Sequence, residues 1–547
     1  MRQTAYMTAS KILLAGAIAI IGACILAYIP AIKAGFIWDD DLYVTENPLL
    51  TAPDGFHRIW FSNDSPSQYF PLTYSTYWVE HRLWGFNPMG YHVVNVAIHI
   101  INALLVWLVL RRLSIPGAWF ASAIFALHPV NVESVAWITE RKNVLMLLFS
   151  LLSVLCWMKF ALDNKSVRRA NLFYAGSLFL YVLALYSKTT ACTLPAALVL
   201  ILWLKHIPLT LKRWLQIAPF VAIGIVTGLV TMWWEKYYQG TGLVNLGLSL
   251  TAKLLIAGRA LWFYLGKLFW PLNLTFSYPR WHIDPAEIWQ YAWPVAGVSV
   301  LACLWLWRKR LGRGLLTAML FFVATLVPML GFFSLYTFVY SFAADHYQYA
   351  ACIGPIALVA AGGALVLRRA GGKGKMLVAS TAGVLLLTLG VITSRQVRIY
   401  MDEETLWQDT LVKNPASWLA HNQMGGILFT KGKIEDAKAQ WKQAIELSSY
   451  MQAIHPRAYA DLYCNLAFTF KTQANLDDAA ANYRKALEIF ENSALTHYQL
   501  AEILVGQGKN EQALLHYRRA LEIARAKKAD YLAKEIQQRL KTVESHK

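Results

Sequence analysis

Charge is scarce in this chain, and acidic charge is scarcest. Of 547 residues only 15% are Asp, Glu, Lys or Arg, 32 acidic against 51 basic. Soluble domains carry about 25% charged residues. With 57% of the chain hydrophobic, this deficit excludes a soluble globular protein. Cysteine is scarce too. Cys24, Cys156, Cys192, Cys303 and Cys352 stand in or beside apolar runs, Cys464 is alone in the hydrophilic tail, and there is no C-x-x-C pair. That excludes a disulfide framework and a cysteine-ligated zinc site. The net charge of +19 raises the question of nucleic acid. The basic residues fall in short clusters between apolar runs instead of along one surface, so no nucleic-acid partner is expected.

What is present in abundance is apolar sequence of spanning length. Such runs fall near 12–32, 91–110, 116–132, 143–162, 170–187, 190–204, 215–234, 288–307, 314–333, 348–367 and 376–394. They predict about eleven transmembrane helices. The first run is long for a signal-peptide core and reads as a retained span. The 22 Trp and 27 Tyr suit two interfacial belts. Basic clusters follow alternate runs: Arg111 and Arg112; Lys165, Arg168 and Arg169; Lys205, Lys212 and Arg213; Arg308, Lys309, Arg310 and Arg313; Arg368, Arg369, Lys373 and Lys375. A cytoplasmic N-terminus puts all of them inside and the hydrophilic tail outside. Residues 252–271 are apolar enough to span, but a span there would break the alternation. They read as a re-entrant or interface-lying helix on the outer side, with Arg259 and Lys267 at headgroup level.

Beyond residue 395 the composition turns soluble and periodic. Three segments repeat Ala, an aromatic four on, and Ala three further: Ala437–Trp441–Ala444, Ala479–Tyr483–Ala486 and Ala513–Tyr517–Ala520. A small residue stands twelve before each first Ala: Gly425, Ala467, Ala501. The second and third triads are one tetratricopeptide period apart, and the first two are separated by that period plus an insertion near SSYMQAIH. The fold expected is all-α: a polytopic membrane domain over 1–395, with a first outer loop at 33–90, then a soluble α-solenoid over 396–547 of about three repeats and a leading half-repeat. Arrays of this kind present concave surfaces to peptides or proteins.

Polar residues gather where apolar ones are expected. FIWDDDLYVT opens the first outer loop with Asp39, Asp40 and Asp41. Taken alone, the triplet also fits a solvated loop start or a poor Ca²⁺ site. At outer span ends stand His128, Glu133, Glu140, Arg141 and Lys142 of HPVNVESVAWITERKN, then Lys188, then Asp345, His346, Tyr347 and Tyr349; the outer loop adds Tyr69, and His92 and His99 follow. Together they form the inventory of a cavity for a phosphate at headgroup level. Cations hold anionic oxygens, and a carboxylate takes a proton from an incoming hydroxyl.

The ordered set FIWDD, YFPL, FNPMGYHVVNVAIH, HPVNVESVAWITERKNVL and ADHYQYAACIG, followed by outward tetratricopeptide repeats, resembles the TMTC family of transmembrane O-mannosyltransferases, within the GT-C class. The resemblance implies a bacterial relative in the plasma membrane and a polyprenyl-phosphate sugar as donor. It implies an inverting transfer to a hydroxyl, with Asp39 as base and Asp40 orienting. It carries His128, Glu133 and Arg141 over from the HPV segment. His346 and Phe70 stand where the animal proteins have Arg; Lys142, Lys188, Arg259 or Arg280 would substitute. The expected donor-phosphate ligands are Arg141, Lys142, Lys188 and His346. The expected supporting residues are Asp41, His128, Glu133, His99, Tyr69, Asp345, Tyr349 and Arg259. No cofactor and no metal is expected; a divalent cation, if used, would take Asp39, Asp40 and Asp41. The partners expected are the lipid donor, an acceptor protein or peptide on the repeats, and membrane lipids. A non-catalytic scaffold, a lipid-linked-sugar carrier, and a transferase acting on an envelope glycan or lipid are the alternatives.

Overall fold

The computed structural model describes residues 2–65, 67–163, 167–238, 246–333, 336–527 and 529–545. Lys165, one of the basic residues named above, lies outside them. The chain is an all-α polytopic membrane protein followed by helical repeats. Among the described residues, seven helices are long and apolar enough to cross a membrane: Lys11–Ile32, Pro88–Arg112, Ile138–Ala161, Arg168–Ser187, Leu211–Tyr238, Ile288–Leu311 and Gly372–Ile399. Their exposure separates two kinds. Ile288–Leu311 buries 6% of its apolar window and offers Val295, Val298 and Leu306 outward, as a lipid-facing helix must. Ile138–Ala161 buries 67% and forms the axis of the bundle.

The other four expected spans are shorter helices: Ala118–Leu127, Leu194–Leu204, Gly314–Leu326 and Ile353–Arg369. The first shows why. Pro129 disfavours helical geometry at His128, which turns extended (ψ 125°) and ends the helix. Trp137 is extended as well (ψ 119°). HPVNVESVAWITE therefore folds as a chain of short turns, and every residue from Ala121 to Leu147 is buried. Non-helical backbone at membrane depth is tolerable only when protein surrounds it.

Residues 252–271 correspond to the helix Leu250–Phe269. A Cβ on Gly258 would meet Pro294 at 2.5–2.7 Å, one on Gly331 would meet Ile256 at 2.9 Å, Trp262 donates to Trp293 O, and Leu268 O bonds His128. Along its length it touches the ends of other elements at one end of the bundle, as an interface-lying helix does. At the opposite end Arg112 pairs with Asp163, Lys205 donates to Leu113 O, Arg213 to Ala161 O and Arg313 to Trp203 O. Arg112, Lys205, Arg213 and Arg313 thus share one end.

The last apolar helix stops at Val397, and the first hydrophilic helix is Glu403–Lys413. Helix pairs Trp418–Thr430 with Ile434–Leu447, Pro456–Thr472 with Leu476–Ile489, and Ala494–Gly506 with Asn510–Ala526 follow, then Asp530–Ser545. All nine residues of the Ala–aromatic–Ala triads are buried. Gly425 lets Trp441 approach; a Cβ there would stand 2.6 Å from the indole nitrogen. The repeats are fastened to the end that carries the interface helix. Gly35 N donates to Met401 O (2.9 Å), Lys413 Nζ to Leu274 O (2.7 Å), and Asn414 Nδ2 to Ser277 O (3.0 Å).

Candidate active site

At that end a polar cavity opens beneath the repeats, lined by Asp39, Glu133, Glu140, Lys142, Lys188 and His346 among aromatic residues. Asp39 reaches it through an unusual turn. Trp38 adopts a positive φ of 51°, rare for a bulky residue. Its N–H donates to Glu403 Oε1 of the first hydrophilic helix (2.9 Å), and its ring packs against Trp407. The turn sends consecutive carboxylates different ways. Asp40 is fully buried and accepts from Ile37 N (3.0 Å), Thr139 N (2.8 Å) and Thr139 Oγ1 (2.5 Å). Asp41 is exposed and accepts from Thr45 Oγ1. Asp39 lines the cavity, and its Oδ1 is buried with no hydrogen-bond partner among the described residues.

Burial pushes Asp39 up to about 6, with the charge of Lys142 pulling the other way. Burial and the neighbouring Asp39 push Asp40 up to about 8 against the pull of its donors. The three carboxylates do not converge, so they do not form the cation site that Asp39, Asp40 and Asp41 would make if a divalent cation were used.

Facing Asp39 is a network centred on Glu140. One oxygen stands 3.0 Å from Lys142 Nζ and 3.8 Å from His346 Nε2; the other is 3.4 Å from Lys188 Nζ. Glu133 accepts from the backbone N–H of His346 (2.9 Å), and its other oxygen stands 3.0 Å from His346 Nδ1. Lys142 lies over the rings of Tyr43 and Trp137. Lys188 sits in extended backbone between the helix Val167–Ser187 and the turn Thr189–Thr193. Burial drives it down to about 8, with Glu140 opposing.

Below Lys188 and His346 the cavity joins an apolar crevice. It runs between helices past Leu151, Val154 and Phe321 to Leu113, Leu204 and Gly314 at the basic end. Lys188, Met329, His346 and Tyr347 line both spaces.

Several expected residues lie elsewhere. Arg141 is fully buried and faces away from the cavity, bonding Glu80, Asn95 and Tyr91 O; it is not free to hold a phosphate. His99 bonds Tyr349 OH (2.8 Å) and Ala126 O in the core. His128 bonds Leu268 O and caps its own turn. Tyr69 donates to Trp60 O, and Arg259 stacks on Trp281. Asp345 is buried against Tyr278 OH (2.9 Å) and held well above the ordinary carboxylate range by burial. Tyr349 lines the apolar crevice instead of the polar cavity. Of the supporting residues only Glu133 lines the polar cavity. Sequence reasoning counted Glu140 in the cavity's inventory but gave it no role, and it did not name Glu80, Thr139 or Tyr278. Glu140 carried a signal: a carboxylate followed at once by two cations, ahead of an apolar run.

The chain is similar to known proteins over parts of its length. A protein O-mannosyl-transferase of Caenorhabditis elegans is 28% identical over 277 residues, 47% of this chain and 38% of that protein. Human TMTC4 is 32% identical over 31% of this chain and 26% of its own. Tmtc3 of Drosophila melanogaster is 24% identical over 86% and 58%. This chain's homologues are TMTC protein O-mannosyl-transferases. The chain spans less than two thirds of the length of each of these relatives. The tetratricopeptide-repeat family matches residues 459–526. Among solved structures, apo ArnT from Cupriavidus metallidurans is similar with a TM-score of 0.38 and 15% identity, over 83% of this chain and 80% of that one. The Archaeoglobus fulgidus oligosaccharyltransferase aligns with a TM-score of 0.40 and 10% identity, over 76% and 58%.

Proposed function

We propose that this protein is a membrane glycosyltransferase that moves a sugar from a polyprenyl-phosphate donor to a hydroxyl of a polypeptide, at the membrane face that carries the repeats. The observation that carries this reading is the meeting of Asp39, Lys142 and Lys188 in one cavity, at the head of an apolar crevice. The crevice suits an isoprenoid chain, and its polar head suits the phosphate. Lys142, Lys188 and His346 hold the phosphate oxygens and stabilise charge as the sugar leaves. Glu140 keeps both lysines in place. Asp39, with an oxygen free for the purpose, takes the proton of the acceptor hydroxyl. Asp40 holds the loop against Thr139. Direct attack by the acceptor inverts the anomeric carbon. The gathering of Arg112, Lys205, Arg213 and Arg313 at the other end supports a cytoplasmic basic end, with cavity and repeats outside.

The test is consumption of radiolabelled polyprenyl-phosphate sugars by the purified full chain in the presence of Ser/Thr peptides. Transfer of label from one donor supports the proposal. A protein that turns over none of the donors and does not bind them contradicts it.

A further inference from the structure

A second space adjoins the cavity on the side of the repeats. Between the loop 277–282 and the repeats lies a groove of about 350 Å³, whose walls include Trp281, Trp418 and Tyr450. Ser277, Tyr340 and Leu419 line both this groove and the Asp39 cavity. The groove and the apolar crevice share no lining residue. Two spaces of different character therefore adjoin the Asp39 cavity: an apolar one at Lys188, and a mixed one at Tyr340.

The far wall of the groove comes from the insertion that interrupts the repeat period. The Ala–aromatic–Ala triads leave the residues around 448–455 without a role. In the structure this segment turns through Tyr450 into the short helix Met451–Ile454, with Met451 fully buried as its anchor. Tyr450 OH reaches Val339 O (3.4 Å), and its ring stacks on Arg280, which bonds Phe338 O and Val339 O. Also lining the groove, Tyr340 packs on Trp418 at 5.5 Å. The insertion thus fixes an aromatic wall of the repeat domain opposite the membrane domain.

We propose that this groove seats the acceptor: an extended polypeptide segment that lies between Trp418 and Tyr450 and delivers a Ser or Thr hydroxyl past Tyr340 to Asp39. The proposal rests on the transferase reading above. A polypeptide is favoured because one wall is built from helix-pair repeats, a scaffold suited to peptides. The mixture of aromatic faces with Ser277, Asn414 and Ser417 offers an amide backbone both contact area and hydrogen-bonding groups.

The experiment uses the purified full chain and a fluorescent pool of Ser/Thr-containing decapeptides. p-Benzoylphenylalanine is placed at position 418, at 450, or at the control position 531, where Tyr531 is 85% exposed on the last helix. Irradiation is expected to give adducts at 418 and 450 that excess unlabelled peptide abolishes, with background at 531. Tyr450→Ala is expected to weaken peptide binding at least about tenfold, while Tyr450→Phe, which keeps the ring, retains it. Equal labelling at all three positions, or none at 418 and 450, overturns the proposal. So does selective labelling of an envelope oligosaccharide in place of peptide. Donor consumption is measured on the same preparations. Turnover without groove adducts sinks the acceptor groove alone; groove adducts without turnover sink the transferase reading alone.

Discussion

Arg141 grips Glu80 through both carboxylate oxygens in the interior, while its neighbours Glu140 and Lys142 face the cavity. Three consecutive ionisable residues split between two tasks because a 3-10 turn, Ile138–Glu140, hands over to the helix Arg141–Ala161 at this point. The pair ties the outer-loop helix Pro71–Trp84 to the bundle.

Arg141→Ala leaves a buried carboxylate without its cation. It is expected to destabilise the fold by about 3–5 kcal/mol, seen as a lower thermal midpoint in detergent. Adding Glu80→Gln to Arg141→Ala should recover part of the loss. A stable Arg141→Ala protein with weakened donor binding would return Arg141 to the phosphate site.

The pH dependence of transfer follows from two groups. Asp39, held up to about 6, is a base only above that pH. Lys188, held down to about 8, is a cation only below that pH. Activity should rise through about pH 6 and fall above about pH 8, a bell in kcat/KM. A profile flat from about pH 5 to about pH 9 would contradict both assignments.

Glu403 acts on the site through Trp38. Its carboxylate holds the N–H of a residue in left-handed backbone (φ 51°), and that turn aims Asp39. Glu403→Ala is expected to lower kcat roughly ten- to a hundredfold, the scale of a small misplacement, with donor KM little changed. Glu403→Gln keeps an acceptor oxygen and should restore most of the rate. Parallel loss in both variants would show that charge, and not position, matters.

The repeat turns offer a stability test. Gly432 and Gly508 take φ +74° at the turns of the first and third helix pairs, and Ala474 takes φ +57° at the second. A Cβ is strained there. Ala474→Gly should therefore stabilise the repeats by about 1 kcal/mol, read as a raised thermal midpoint.

Much of this architecture was legible in the residues. The Ala–aromatic–Ala triads announce the repeats because a buried small–large–small pattern is what paired helices require. Each expected span corresponds to a helix. The breaks at His128 and Trp137 were harder to see, since apolar composition hides a turn that protein buries. The site was legible as an inventory but not as a geometry. Asp39, Lys142 and Lys188 meet in the cavity, whereas His99, His128 and Arg141 form structural bonds. Composition cannot say which neighbour of a helix junction faces inward. Nor does FIWDDDLYVT show that a left-handed Trp38 separates its three acids.

The most direct test sets wild type beside Asp39→Asn in one preparation, measuring transfer from the consumed donor and the affinity for that donor. The account predicts that the substitution abolishes transfer while donor binding persists, because Lys142 and Lys188 are intact. Transfer at near wild-type rate in Asp39→Asn would contradict it.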